Sequence, residues 1–356
     1  MRFERCAAAL ALIVCSLSVS AQNRPAPAST DLAPGVVLFR TPPYGDVGLD
    51  GNAIAILSND GVLVFDSNGT PAASAAVLSE IRKRTDKPVR YVVNSHWHWD
   101  HWYGTETYQR AFPDVRVVAH EKTRAMMAGP AIAFNQPGLE VQLPAYLKNL
   151  EQRAATDGKL APLLAEDRFF LEQKKNAQLV LPNVTYADRL TITLGERQIE
   201  VLNFGRAVTP GDSLVYLPRE KILLLGDLIV NPVTFALSGY PTEWLRALER
   251  VDALDATTIV TGHGAPLTDK ALLHATMEVF RTLLAEGKTS KANGLTADQA
   301  KEAIFPRLHD VMVRITGDDP ARNAAFKQQL VDWYLHRVYE ELDGPLSDAI
   351  SAIPQS

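Results

Sequence analysis

The chain has 356 residues, 46% hydrophobic and 22% charged, with a formal net charge of -5. That is an ordinary globular mix, enough for one large domain or two small ones. The mild negative charge and the lack of any basic patch argue against nucleic acid as a partner.

The N-terminus departs from this average. Arg2 and Arg5 precede an apolar run over residues 6–17, and Val19-Ser20-Ala21 offers small residues at a cleavage site. Residues 1–21 read as a secretory signal peptide cut after Ala21, which predicts a periplasmic or secreted protein. The apolar run is too short to span a bilayer, so no stable membrane insertion is expected after cleavage. A lipoprotein site at Cys15 is disfavoured by the bulky Val14. The two cysteines, Cys6 and Cys15, both fall inside the signal. The mature chain then has no disulfide, no thiol nucleophile and no sulfur ligand, so it must be held together by its core.

Residues 22–35 are rich in Pro, Ala and Ser and read as a flexible linker. A strand is expected over 36–39. Strands over 53–57 and 62–65 flank Ser58-Asn59-Asp60-Gly61 and form a hairpin, closed by Asp66 ahead of Asn68-Gly69. Ala73, Val77, Leu78 and Ile81 recur at helical spacing over 72–84. The β-branched run Val89–Val93 is a further strand. After it come a helix over about 104–112 and a strand over 115–119.

From residue 120 to about 180 the chain reads as a helical insertion. Leu143, Tyr146, Leu147 and Leu150 mark one amphipathic helix; Leu160, Leu163, Leu164, Phe169 and Phe170 mark another. The insertion either covers a site as a lid or only packs. Strands resume over 190–194, 199–202, 214–217 and 222–225, with a helix over 240–254 and a strand over 257–261. Residues 271–356 read as a helical C-terminal extension, with Phe326, Leu330, Tyr334, Val338 and Leu342 repeating every four residues.

Chemistry concentrates directly after the strand Val89–Val93, in Asn94-Ser95-His96-Trp97-His98-Trp99-Asp100-His101. Three imidazoles and a carboxylate within six residues are the ligand types Zn²⁺ takes when cysteine is absent. A loop leaving a strand end is a common place for catalytic groups. Two more positions look like ligands. Asp227 follows the apolar run 222–225, where a buried carboxylate needs a cationic partner. His263 sits between Gly262 and Gly264, which leave the imidazole unobstructed. Trp97, Trp99, Trp102 and Tyr103 crowd the cluster, as an aromatic wall for a substrate or as plain packing. Gly211-Asp212-Ser213-Leu214 imitates a serine esterase motif but lacks its partner histidine. Gly287-Lys288-Thr289 imitates a phosphate loop but lacks its first glycine.

His96-x-His98-x-Asp100-His101 resembles the signature of the metallo-β-lactamase-fold hydrolases. The features that follow keep that family's order over about residues 36–270: Gly205-Arg206, Thr209-Pro210-Gly211-Asp212, Gly226-Asp227 and Gly262-His263-Gly264. Asp227 looks like the bridging carboxylate of the glyoxalase II-like and general hydrolase branches rather than of the strict lactamases. The resemblance implies an α/β protein, a four-layered αβ/βα sandwich with the site at one edge. It places His96 and His98 on a first metal, Asp100, His101 and His263 on a second, and Asp227 between them. The first metal usually has a third histidine, and here that position is Val208. His120, Asn203 and Arg206 are the nearest substitutes.

The resemblance therefore implies one or two Zn²⁺ ions, with the first site weakened. It implies a hydrolase that uses a metal-bound hydroxide on a small-molecule ester, thioester, lactone or lactam carbonyl, with Asp100 handling a proton. The fold also serves phosphodiesters and sulfate esters. Three readings follow: two metals with one loosely held, a single metal in the second site, or a non-catalytic relative that binds.

Overall fold

The computed structural model describes residues 24–350; the expected signal peptide lies outside them. Among the described residues a seven-stranded sheet runs in the order β1 to β7: Ala28–Ala33, Val36–Arg40, Ala53–Ser58, Gly61–Phe65, Val89–Val93, Arg116–His120 and Val184–Tyr186. β1 to β4 pair antiparallel and β4 to β7 parallel. A five-stranded sheet has the order β12-β11-β10-β9-β8, from β8 (Arg189–Leu194), β9 (Arg197–Leu202), β10 (Leu214–Leu217), β11 (Ile222–Leu224) and β12 (Thr258–Val260). It is antiparallel except between β11 and β12.

Strand periodicity builds three apolar layers from these sheets. Val36, Leu38, Ile54, Ile56, Leu63 and Phe65 pack against Ile199, Val201, Val215, Leu217 and Leu224, which joins the two sheets face to face. The alternate residues Val37, Phe39, Ala55 and Val64 face Val77, Leu78 and Ile81 of α1 (Pro71–Arg82) and Tyr108 of α2 (Thr105–Ala111). On the far side, Leu223 and Ile259 meet Trp244 and Leu248 of α7 (Pro241–Asp252) and Phe280 and Leu283 of α8 (Ala271–Ala292). This is the expected αβ/βα sandwich.

The insertion holds α3 (Glu121–Met127), α4 (Pro130–Pro137), α5 (Leu143–Ala154) and α6 (Ala161–Asn176). Only the last two carry the periodicity that sequence reading found; α3 and α4 span seven and eight residues, too short for a clear pattern. Behind α8 come α9 (Ala297–Ile304), α10 (His309–Thr316), α11 (Pro320–Ala325) and α12 (Trp333–Asp343). They share one core with the second sheet, so no separate core begins at residue 271. Of the four-residue repeat, Phe326, Leu330, Tyr334 and Val338 are buried while Leu342 is exposed. A strict spacing of four drifts by about 40° per step around an α-helix. The wider turn over Phe326–Asp332 absorbs the drift early, and Leu342 lies beyond it.

One expectation needs correction. Residues 28–33, read as part of a flexible linker, form β1 on the edge of the first sheet. The apolar β2 would otherwise present a bare row of backbone donors and acceptors. An edge strand tolerates polar side chains, so composition alone misled. Asp31 of β1 is also tied to Arg84 at 2.7 Å.

Candidate metal centre

Parallel neighbours bring their C-terminal ends to one edge. β4 and β5 deliver Asp66 and the histidine loop from one sheet; β11 and β12 deliver Asp227 and His263 from the other. Hydrogen bonds stitch the two sheets together there. Ser213 N donates to Ser95 O at 2.7 Å and Asn52 N to Gly262 O at 2.7 Å, while Asn52 Nδ2 reaches Thr261 O at 2.9 Å.

The six residues singled out in the sequence converge at this edge. His101 Nε2 lies 3.3 Å from both Asp100 Oδ2 and Asp227 Oδ1. His263 Nε2 lies 3.0 Å from Asp100 Oδ2 and 3.6 Å from Asp227 Oδ1. Zinc–ligand bonds of about 2.0–2.1 Å in a tetrahedron set neighbouring ligand atoms about 3.3 Å apart. The four histidine-to-aspartate distances, 3.0–3.6 Å, are of that order, and the ligand atoms form two overlapping groups that share His101, one with Asp100 and His263 and one with His96 and Asp227. The other carboxylate oxygen, Asp227 Oδ2, faces His96 Nε2 at 3.6 Å and His98 Nδ1 at 3.9 Å. Asp227 thus turns one oxygen to each group of histidines.

The donor set fits a cation on further grounds. His96 Nε2, His101 Nε2 and Asp227 Oδ1 are buried without a hydrogen-bond partner. Glycines make room: a Cβ on Gly262 would sit 1.8 Å from Asp227 Oδ1, and one on Gly51 would sit 2.5 Å from the His101 ring. Burial alone would raise the carboxyls of Asp100 and Asp227, but His101 and His263 reverse this and hold both well below the carboxylate range. Burial also opposes charge on His101, yet Asp100, Asp227 and Asp66 raise it well above its ordinary value. Burial and the neighbouring His101 and His98 push His96 well below its own. A buried pair of carboxylates with imidazole as counter-charge is a place where a divalent cation replaces a proton.

Sequence reading missed the groups that orient these ligands. In the sequence Asp66 marks only the close of a hairpin. It is buried with φ of 59°. Its Oδ2 accepts from His101 Nδ1 at 2.8 Å and from Ser95 Oγ at 2.8 Å; its Oδ1 accepts from Ser95 N at 2.7 Å. Since Ser95 Oγ gives its only proton to Asp66, it accepts from His96 Nδ1 at 2.9 Å. In their neutral forms both histidines thereby keep the proton on Nδ1 and turn a bare Nε2 inward, the form a metal requires. The available signal was an aspartate directly after an apolar strand, the same signal that singled out Asp227.

The substitutes considered for the missing histidine are engaged elsewhere. His120 Nδ1 caps α3 by accepting from Lys122 N at 3.2 Å. Asn203 Nδ2 donates to Asp212 O at 2.7 Å. Arg206 is paired with Glu243 and Asp348. Val208 is part of the apolar core beneath α7. Of the aromatic residues, Trp97, Trp102 and Tyr103 are buried against Met126, Met127 and Ala131 of the insertion, so packing describes those three; Trp99 is partly exposed.

A two-sheet α/β sandwich with a histidine–aspartate cluster at the strand ends defines a class, and comparison with known proteins identifies it. Residues 46–263 match the model of the metallo-beta-lactamase superfamily. The chain belongs to that superfamily, and with it to the metal-dependent hydrolases. It is 24% identical over 266 residues to a linear primary-alkylsulfatase of Pseudomonas sp. (strain ATCC 19151), covering 69% of this chain and 48% of that protein. The chain thus spans about half the length of that relative. Among solved structures, a stereoselective inverting sec-alkylsulfatase from Pseudomonas sp. aligns over 90% of this chain and 51% of its own, with a TM-score of 0.60 and 18% identity. A metallo-beta-lactamase from Pontibacter korlensis aligns over 72% of this chain and 99% of its own, with a TM-score of 0.52 and 21% identity. At these identities the two structures speak for the fold.

Proposed function

We propose that the chain is an exported, zinc-dependent hydrolase of sulfate esters carried on an apolar group. The observation that carries the hydrolase reading is the convergence of Asp100, His101, His263 and Asp227 at histidine-to-aspartate distances of 3.0–3.6 Å, with His101 Nε2 and Asp227 Oδ1 left without a hydrogen-bond partner. The substrate class draws on the alkylsulfatase relative and on the alkylsulfatase structure that aligns over most of the chain.

Asp100, His101, His263 and Asp227 would hold one zinc ion tightly. His96, His98 and Asp227 would hold a second ion only weakly, because Val208 supplies no donor and His98 stands farthest from the carboxylate. Zinc at such a site lowers the pKa of a bound water towards neutrality and polarises the ester it faces. Asp66 and Ser95 keep the ligand nitrogens bare. Asp100 is the carboxylate assigned to the proton of the attacking water. Trp97 packs edge-on against the His98 ring at 4.6 Å between centroids. Hydrolysis consumes one water and yields an alcohol and hydrogen sulfate.

Elemental analysis after mild purification should find between one and two zinc equivalents. Octyl sulfate should be turned over, chelator should abolish this, and zinc should restore it. A panel of carboxylic ester, thioester, lactone and lactam runs beside it. Absence of zinc overturns the hydrolase reading; chelator-sensitive turnover of a carbonyl substrate but not of octyl sulfate overturns the sulfate reading.

A further inference from the structure

Between the histidine loop and the insertion lies a cavity of about 400 Å³ that the metal centre does not account for. Trp99 and Val47 form one wall; Leu139, Leu143, Phe170 and Lys174 of the insertion form the other. Its size lies within the ordinary range for small-ligand pockets. The lining is mainly apolar, with Asn135, Gln142 and Tyr146 as its neutral polar groups and Lys174 as its one cation. Lys174 is only 8% exposed, a burial that lysine seldom reaches without a partner.

Lys174 has no hydrogen bond or ion pair among the described residues. Its ammonium lies over the Trp99 ring at 3.4 Å, with Tyr103 at 4.8 Å and Phe170 at 5.6 Å. Aromatic faces stabilise a cation without neutralising it. Burial drags the group down to about 7, with Asp100 and Asp50 opposing. Both of those carboxylates are engaged. Asp100 faces His101 and His263, and Asp50 accepts from Gly69 N at 2.7 Å and Thr41 Oγ at 2.9 Å. No carboxylate lies within ion-pair distance of Lys174 among the described residues, and Asp100 and Asp50 act on it only from farther away.

The chain around the lining residues supplies a second indication. Val141, 66% exposed, follows the lining residue Leu139 by two positions, and Leu49, 48% exposed, follows Val47 by two. Exposed aliphatic residues near a pocket mark a surface that meets apolar material.

We propose that this cavity is a binding site for amphiphilic anions, with the anionic head on the Lys174 ammonium and the apolar body along Leu139, Leu143 and Phe170. The insertion is then the specificity element, and Lys174 selects ligands by charge. The inference rests on the proposed function only for which bond of the ligand reacts. The binding itself is independent of it.

The test is calorimetric titration of the zinc-loaded full chain with octanesulfonate, which cannot be hydrolysed as an ester, and with octan-1-ol of the same chain length. The sulfonate should bind at least about tenfold tighter than the alcohol. Lys174→Met, which keeps an apolar stem, should erase that preference, and Lys174→Arg should retain it. Equal binding of sulfonate and alcohol by the unaltered chain, or an undiminished preference in Lys174→Met, overturns the proposal. Loss of zinc or of all turnover with sulfonate binding intact would sink the hydrolase reading alone. Turnover intact without a sulfonate preference would sink this one alone.

Discussion

Asp66 holds His101 directly and His96 through Ser95, so one carboxylate sets the tautomer of a residue in each histidine group. Asp66→Asn puts an amide donor where two donors already point. The ring of one histidine must then turn its protonated nitrogen inward. Zinc affinity should fall roughly 10- to 100-fold, the usual cost of losing such a partner, and competition with a chromogenic chelator measures it. An unchanged affinity would show that the ligands orient themselves. Val208 poses the opposite question. Val208→His places an imidazole in the apolar core beneath α7. The metal-free variant should lose roughly 1–3 kcal/mol for a buried polar group without a partner. A second zinc equivalent should bind more tightly and restore the melting temperature. A lowered melting temperature with unchanged zinc uptake would show that position 208 faces away from the cluster.

At the scale of elements, the insertion carries the device that composition hid. A lysine on an amphipathic helix reads as solvated, and only the packing of α6 over Trp99 makes Lys174 a buried cation. Its pKa is about 7 in the folded chain. In the unfolded chain it is about 10.4. Between these values the folded state binds fewer protons, so the charging cost is present in full below the lower value and fades as pH rises towards the higher. Lys174→Met should therefore raise the melting temperature at about pH 6 by roughly 2–4 °C, and the gain should shrink towards about pH 10. A gain that does not vary with pH would mean the lysine is not charged against its surroundings. The same blindness to context worked in reverse at residues 28–33, where a polar, proline-flanked stretch read as linker is held as a strand by the open edge of β2.

At the scale of the whole molecule, what could be read from sequence and what could not follow one physical line. The histidine loop was legible because four chemical groups lie within six residues, and Asp227 and His263 because each directly follows an apolar strand. The layers were legible because alternate residues of β2, β3 and β4 are apolar on both faces. Asp66 carries the same local signal as Asp227, but its role, and those of Gly51 beneath His101 and Gly262 beneath Asp227, depend on residues from distant segments and have no local period. Those distant contacts would make a bound ion a structural clasp as well. His101 and Asp100 come from the first sheet, and Asp227 and His263 from the second, so a cation shared by all four would close the sandwich at its edge. Stripping it should loosen that edge while leaving the three apolar layers intact. For zinc held at about a hundred times its dissociation constant, the lost stabilisation is about 2.7 kcal/mol. For a chain of this length that corresponds to a fall of roughly 4 °C in melting temperature. Calorimetry with and without chelator measures the fall. Hydrogen exchange should show that it is accompanied by faster exchange at the Asn52–Gly262 and Ser213–Ser95 bonds, which stitch the sheets beside the cluster. A chelator that leaves both unchanged would mean that the four ligands do not share an ion.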